Sequence, residues 1–210
     1  MPTGSSSYTQ LRRFQQKRQP NVRKLFSGVL LAALVGVAAT NAHPAQAPSN
    51  QKRCAFDIGS GETKLSAAEV VAGGTHPTVN RLLSKKVFLP IVRSLKDGLI
   101  PDVLIAEAVA KLIELRRECD AVGARNYFGV ATAGFRMARN AHEALARMIQ
   151  ETKIPLSVIT GDQEATLAFL AAADALKSDG GNLVVWDIGG RSSQFSMRAD
   201  ASSETPYQLI

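Results

Sequence analysis

Cys54-Ala55-Phe56-Asp57-Ile58-Gly59-Ser60-Gly61-Glu62-Thr63-Lys64-Leu65 reads as a buried strand, an Asp-apolar-Gly turn with a small hydroxyl residue, and a second strand. The same grammar returns in Leu183-Val184-Val185-Trp186-Asp187-Ile188-Gly189-Gly190-Arg191-Ser192-Ser193-Gln194-Phe195. These residue types suit an anionic ligand. Glycine lets the backbone approach closely, and free N–H groups and Ser/Thr hydroxyls wrap phosphate oxygens. An Asp beside them can hold a metal ion or a water. One such turn is a weak signal. Two, at opposite ends of a domain-sized segment, predict a cleft with a phosphate loop on each wall.

Between the turns the pattern alternates strands and helices. Ala67–Val71 continues the returning strand, Gly73–Pro77 is a loop, and Arg81–Leu89 is a third antiparallel strand. Gly98 and Pro101 announce a helix with Asp102 in its first turn and apolar residues at helical spacing from Val103 to Leu115. Asn126–Thr132 is short and apolar, as expected of a strand covered on both faces. A helix from about Asn140, a buried strand Leu156–Ile159 and an Ala-rich helix Gly161–Leu176 follow. The order β-β-β-α-β-α-β-α predicts an α/β domain with a mixed sheet and helical crossovers. No internal repeat of 20–50 residues is visible, although the paired turns suggest a duplicated domain with only the first copy complete.

Four segments carry the chemistry: Asp57–Gly61, Val130-Ala131-Thr132-Ala133-Gly134-Phe135-Arg136-Met137-Ala138-Arg139-Asn140, Val158-Ile159-Thr160-Gly161-Asp162-Gln163-Glu164-Ala165, and Val185–Gly190. Taken together and in this order, they resemble the exopolyphosphatase and guanosine pentaphosphate phosphohydrolase (Ppx/GppA) family of the actin-like ATPase superfamily. The resemblance covers about residues 53–197. It implies a ribonuclease H-like lobe with a mixed five-stranded sheet flanked by helices over 53–178, and the start of a second, similar lobe over 179–210. It also implies Mg²⁺-dependent hydrolysis of terminal phosphoanhydride bonds in polyphosphate or a phosphorylated guanosine nucleotide, and leaves a homodimer open.

Residue by residue, the resemblance places Gly59, Ser60 and Gly61 in a first phosphate loop and Gly189, Gly190 and Ser192 in a second. Thr132 and Arg136 follow a strand, where a hydroxyl and a guanidinium can meet phosphate oxygens, Arg bidentately. For Arg136 the alternative is a surface salt bridge, and Arg139 is expected to face solvent. Glu164 corresponds to the acid that orients the attacking water; otherwise it is an ordinary charge at a helix N-terminus. Asp162 is a candidate helix cap. Asp187 and Asp57 are the candidate Mg²⁺ carboxylates, since Mg²⁺ is usually held by one or two carboxylates plus phosphate oxygens and waters. Lys64 reads as an outward residue on its strand.

The chain departs from the family's second loop, Asp-Ile-Gly-Gly-Gly-Ser-Thr-Glu, at Arg191, Ser193 and Gln194. Gln194 keeps the shape of a glutamate and removes its charge, which opens the alternative of a non-catalytic phosphate-chain or nucleotide-binding protein. In the first loop Gly61-Glu62 stands for Asn-Ser. Residues 183–210 cannot bury a second core alone, so the sequence is expected to be a fragment or truncated reading frame, or to rely on a partner chain.

The 210 residues are 45% hydrophobic and carry a formal charge of +7. That charge is not a nucleic-acid signature. Arg12, Arg13, Lys17, Arg18, Arg23 and Lys24 lie in residues 1–47, which hold no Asp or Glu, so the remainder is near neutral. A basic, disordered 1–24, an apolar run Leu25–Ala39 of about 15 residues and Ala45-Gln46-Ala47 predict a signal peptide or signal anchor over 25–47. A linker follows over 48–52. The expected location is exported, periplasmic or membrane-anchored through this leader alone, with polyphosphate the better substrate there. The alternative is a cytosolic protein with a basic tail. Cys54 and Cys119, at the sheet end away from the glycine turns, form either a disulfide or two buried thiols.

Overall fold

The structure, a computed structural model, describes residues 51–71, 78–178 and 180–198, and the backbone of 207–209. The basic stretch, the apolar run, most of the linker and the Gly73–Pro77 loop lie outside the described residues. Strand β1 (Gln51–Ile58) includes Gln51 and Lys52, read from sequence as the end of the linker. It turns back antiparallel into β2 (Glu62–Val71), which pairs with β3 (Thr78–Phe88). Helix α1 (Asp102–Ala121) carries the chain to β4 (Asn126–Ala131), which joins β1 in parallel with Ile58 opposite Ala131. After α2 (Ala133–Met137) and α3 (Ala141–Thr152), β5 (Leu156–Val158) adds to β4 in parallel. The order is β3-β2-β1-β4-β5, a mixed five-stranded sheet.

Helix α1 buries Leu104, Ile105, Ala108, Val109, Leu112, Leu115 and Cys119 at spacings of three and four, one continuous stripe. These pack with Phe56 and Ile58 of β1, Leu65 and Ala67 of β2, and Leu145 and Met148 of α3 in the main core. A disulfide joins Cys54 to Cys119, with Cα atoms 6.2 Å apart, and thereby staples α1 to the central strand. Both half-cystines are fully buried. The two alternatives that the sequence left open resolve to the bond because β1 and α1 bring the two Cα atoms within bridging distance.

Helix α4 (Gly161–Leu176) has the bounds expected from sequence, but its cap differs. Thr160, not Asp162, is the N-cap: its hydroxyl accepts from Gln163 N–H while the Gln163 side chain accepts from Thr160 N–H. Three short elements were not expected from sequence, the 3-10 turn Val92–Ser94, α2 and a strand at Tyr207–Leu209, each too brief to show a period.

Strands β6 (Val184–Ile188), β7 (Ser193–Met197) and β8 (Tyr207–Leu209) form a separate antiparallel sheet. Its inner face turns Gln194 and Ser196 into the protein, and α4 packs against it. Its outer face exposes Val184, Trp186, Ile188, Phe195 and Met197, with Trp186 stacked on Phe195 at 5.1 Å.

Candidate active site

Both glycine turns are built alike. Gly59 N–H donates to Glu62 O at 2.9 Å, and Gly189 N–H donates to Ser192 O at 2.8 Å. The flanking registers match as well: Asp57 lies opposite Lys64, and Asp187 opposite Gln194. A Cβ on Gly59 would sit 3.0 Å from Glu62 O, and one on Gly189 3.1 Å from Ser192 O. The tight closure of each turn is what glycine provides here. Arg191, where the family's loop has a third glycine, is accommodated without strain: among the described residues, positive φ falls at Asp97, Gly98, Gly123, Lys153, Lys177 and Gly180, none of them in either turn.

The turns face each other. A Cβ built on Gly190 would lie 3.5 Å from Ser60 Cβ. The first turn is pinned from behind, where Val92 N–H donates to Ser60 O at 3.0 Å and Leu89 N–H to Gly61 O at 2.9 Å. Helix α2 closes on it so tightly that a Cβ on Gly134 would come within 3.4 Å of Ser60 Cα and 3.0 Å of Ile91 Cγ2. Gly61, by contrast, looks onto open space.

Three carboxylates converge beside the turns. Asp57 ends β1, Asp187 lies near the end of β6, and Glu164 stands in the first turn of α4. Burial pushes the Asp57 carboxyl up; Lys64 opposes this, and Asp187 adds to it. Burial likewise raises Glu164, against the pull of Arg136, with Asp187 and Asp57 pushing the same way as burial. Asp187 is raised by burial and lowered by Lys64. Each carboxylate is therefore tied electrostatically to at least one other, a concentration of negative charge that favours a cation or a shared proton.

The other candidates divide. Thr132 is turned to the scaffold: its N–H donates to Ile58 O at 3.1 Å and its hydroxyl to the same oxygen at 3.5 Å. Arg136 makes an ion pair, as one sequence alternative held, but inside the site. Its Nη2 donates to Glu164 Oε2 at 2.8 Å and its Nη1 to Ile159 O at 2.8 Å. Arg139 is exposed, as expected. Asn140 is structural: its amide donates to Ile100 O at 3.0 Å and accepts from Ile100 N–H at 2.8 Å, fixing the loop before α1.

Strand register explains two further residues. Lys64 does not simply face outward; its Nζ lies 3.6 Å from Asp57 Oδ2 and its charge reaches Asp187. The signal was its register, since cross-strand partners in a hairpin share a face. Gln194, by the same rule, shares the face of Asp187; it is 1% exposed, and neither amide atom is hydrogen-bonded among the described residues. No cluster of three or more His, Cys, Asp or Glu side chains arranged to hold a metal occurs among the described residues. Asp57 and Asp187 do fit Mg²⁺ as partial ligands. Asp57 is buried and Asp187 half-buried, a cation would relieve their desolvated charge, and this ion completes its shell with phosphate oxygens and water.

Facing hairpin turns, one from a mixed five-stranded sheet and one from a second sheet, with acids at the strand ends, define an actin-like ATPase-fold lobe. Within that class the chain belongs to the Ppx/GppA phosphatase family, whose profile matches residues 68–209. It is 29% identical over 155 residues to Exopolyphosphatase 1 of Mycobacterium leprae, covering 73% of this chain and 45% of that protein. It is 31% identical over 157 residues to the guanosine-5'-triphosphate,3'-diphosphate pyrophosphatase of Pseudoalteromonas atlantica, covering 74% of this chain and 30% of that one. The crystal structure of the Aquifex aeolicus member of the family superposes with a TM-score of 0.65 at 26% identity, over 77% of this chain and 51% of the other. The chain thus spans about half or less of the length of these relatives.

Proposed function

We propose that this chain forms one wall of the active site of a hydrolase that removes terminal phosphate from a phosphoanhydride chain, either linear polyphosphate or guanosine pentaphosphate. The observation that carries the reading is the approach of Gly190 to Ser60, which sets two phosphate loops face to face beside Asp57, Glu164 and Asp187. Backbone N–H groups of the loops, the hydroxyls of Ser60 and Ser192, and the Lys64 ammonium receive phosphate oxygens. Glu164, held by Arg136, accepts a hydrogen bond from the attacking water and orients it. Asp57 and Asp187 would hold Mg²⁺, which would supply charge neutralisation for the phosphoryl group. The protein's work is positioning and charge neutralisation.

The buried Cys54–Cys119 bond suits an oxidising compartment, which supports export through the Leu25–Ala39 leader. Guanosine pentaphosphate is a nucleotide of the cell interior, so export favours polyphosphate. No helix among the described residues is long and apolar enough to cross a membrane. One feature favours a second reading, a phosphate-chain binder without turnover: Gln194 places a neutral amide opposite Asp187.

The test is inorganic phosphate release from long-chain polyphosphate with Mg²⁺ by the full-length protein, beside its Glu164→Gln variant. Release that falls about 10²–10⁴-fold in the variant, the usual weight of a positioned base, supports the hydrolase. Tight polyphosphate binding without release by the folded wild type replaces it with the binder.

A further inference from the structure

Resting on the assignment of Glu164 as the water-orienting acid, we propose that Arg136 is its positioning residue rather than a ligand of the substrate phosphate. Arg136 stands on α2, whose Phe135 is buried and whose Gly134 is wedged against Ile91 and the Ser60 turn, so its starting point is set by the packing of the first loop. From there the guanidinium forks across the β5–α4 junction. Nη1 donates to Ile159 O, just before the cap residue Thr160, and Nη2 donates to Glu164 Oε2, each at 2.8 Å. A planar fork with both prongs engaged is rigid.

The fork has two consequences. Glu164 Oε2 is committed, while Oε1 accepts no hydrogen bond among the described residues, so one carboxylate oxygen is left for the water. A swing of Arg136 toward a phosphate would strip a buried carboxylate of its cation in a site that already holds Asp57 and Asp187. The ion pair also sets the helix that carries the acid at a defined place relative to the helix that backs the first phosphate loop. Water and phosphate are thereby registered to one another through Arg136.

The experiment compares wild-type full-length protein with Arg136→Gln and Arg136→Lys. Dissociation constants for polyphosphate of defined length are measured by calorimetry, and kcat and KM by phosphate release with Mg²⁺. A positioning role predicts a kcat lower by about a hundredfold in Arg136→Gln, partial rescue in Arg136→Lys, and Kd and KM within about threefold of wild type. A ligand role predicts Kd weaker by about tenfold or more with kcat largely kept, which overturns the proposal. The lysine variant carries the same comparison if the glutamine variant melts early. Absence of turnover in folded wild type sinks the hydrolase reading and this inference together; turnover with weakened binding in the variants sinks this inference alone.

Discussion

Breaking the Cys54–Cys119 bond should cost this lobe a large share of its stability. The cross-link closes a loop with a sequence separation of 65 between β1 and α1. In the chain-entropy treatment, a loop of that size restrains the unfolded ensemble enough to stabilise the fold by about 4 kcal/mol. With a urea slope of about 2 kcal/mol/M, the unfolding midpoint of the reduced protein should fall by about 2 M. Both half-cystines are fully buried, so a thiol reductant reaches them when the lobe opens. The comparison therefore needs unfolding and refolding legs with and without reductant, followed by circular dichroism. A Cys54→Ala/Cys119→Ala variant should show the same direction of change, deepened by the lost packing of two core sulfurs. Coincident midpoints with and without reductant would refute the cross-link and, with it, the structural support for an oxidising compartment.

The carboxylate cluster makes a prediction about pH. Asp57, Glu164 and Asp187 all bind their protons more tightly folded than unfolded, chiefly through burial. Their contribution to stability is thus fully present below the unfolded carboxylate range, near pH 4, and is lost as pH rises through the raised folded values. Denaturation midpoints should fall across that window, and Asp57→Asn or Asp187→Asn should flatten the fall; a flat or rising wild-type profile contradicts the cluster. Asn140→Ala removes both partners of the Ile100 backbone, which is only 3% exposed, and should lower unfolding free energy by about 2 kcal/mol in urea titrations. Gln194→Glu sets a further carboxylate opposite Asp187, so its melting temperature should drop in chelator and rise more steeply with added Mg²⁺ than that of the wild type; equal responses would show that position 194 does not face the cation site.

Much of the framework was legible because its signals are local. The bounds of α4 follow from the run Thr160-Gly161-Asp162-Gln163 and the apolar stripe behind it, although the choice of Thr160 over Asp162 as cap turns on reciprocal side-chain bonds that spacing does not rank. The two turns declared themselves through Asp-Ile-Gly because a closed hairpin with a backbone N–H bent onto a carbonyl three residues later accepts few other residues there. The five-residue α2 was invisible because so short a segment completes little more than one turn and has no period.

Amino-acid order by itself determined the element sequence, the two phosphate-type turns, the family and the candidate acids, since each is written in near-neighbour chemistry. What the acids and cations do to one another was decided by the tertiary structure. Arg136 and Glu164 are 28 positions apart, and their pairing depends on α2 packing behind the Ser60 turn. The same holds for Thr132, spent on Ile58 O, for Lys64, drawn toward Asp57, and for the bond between Cys54 and Cys119. Charge interactions and cross-links act through space over a few ångströms, and the sheet order β3-β2-β1-β4-β5 sets which residues share that space.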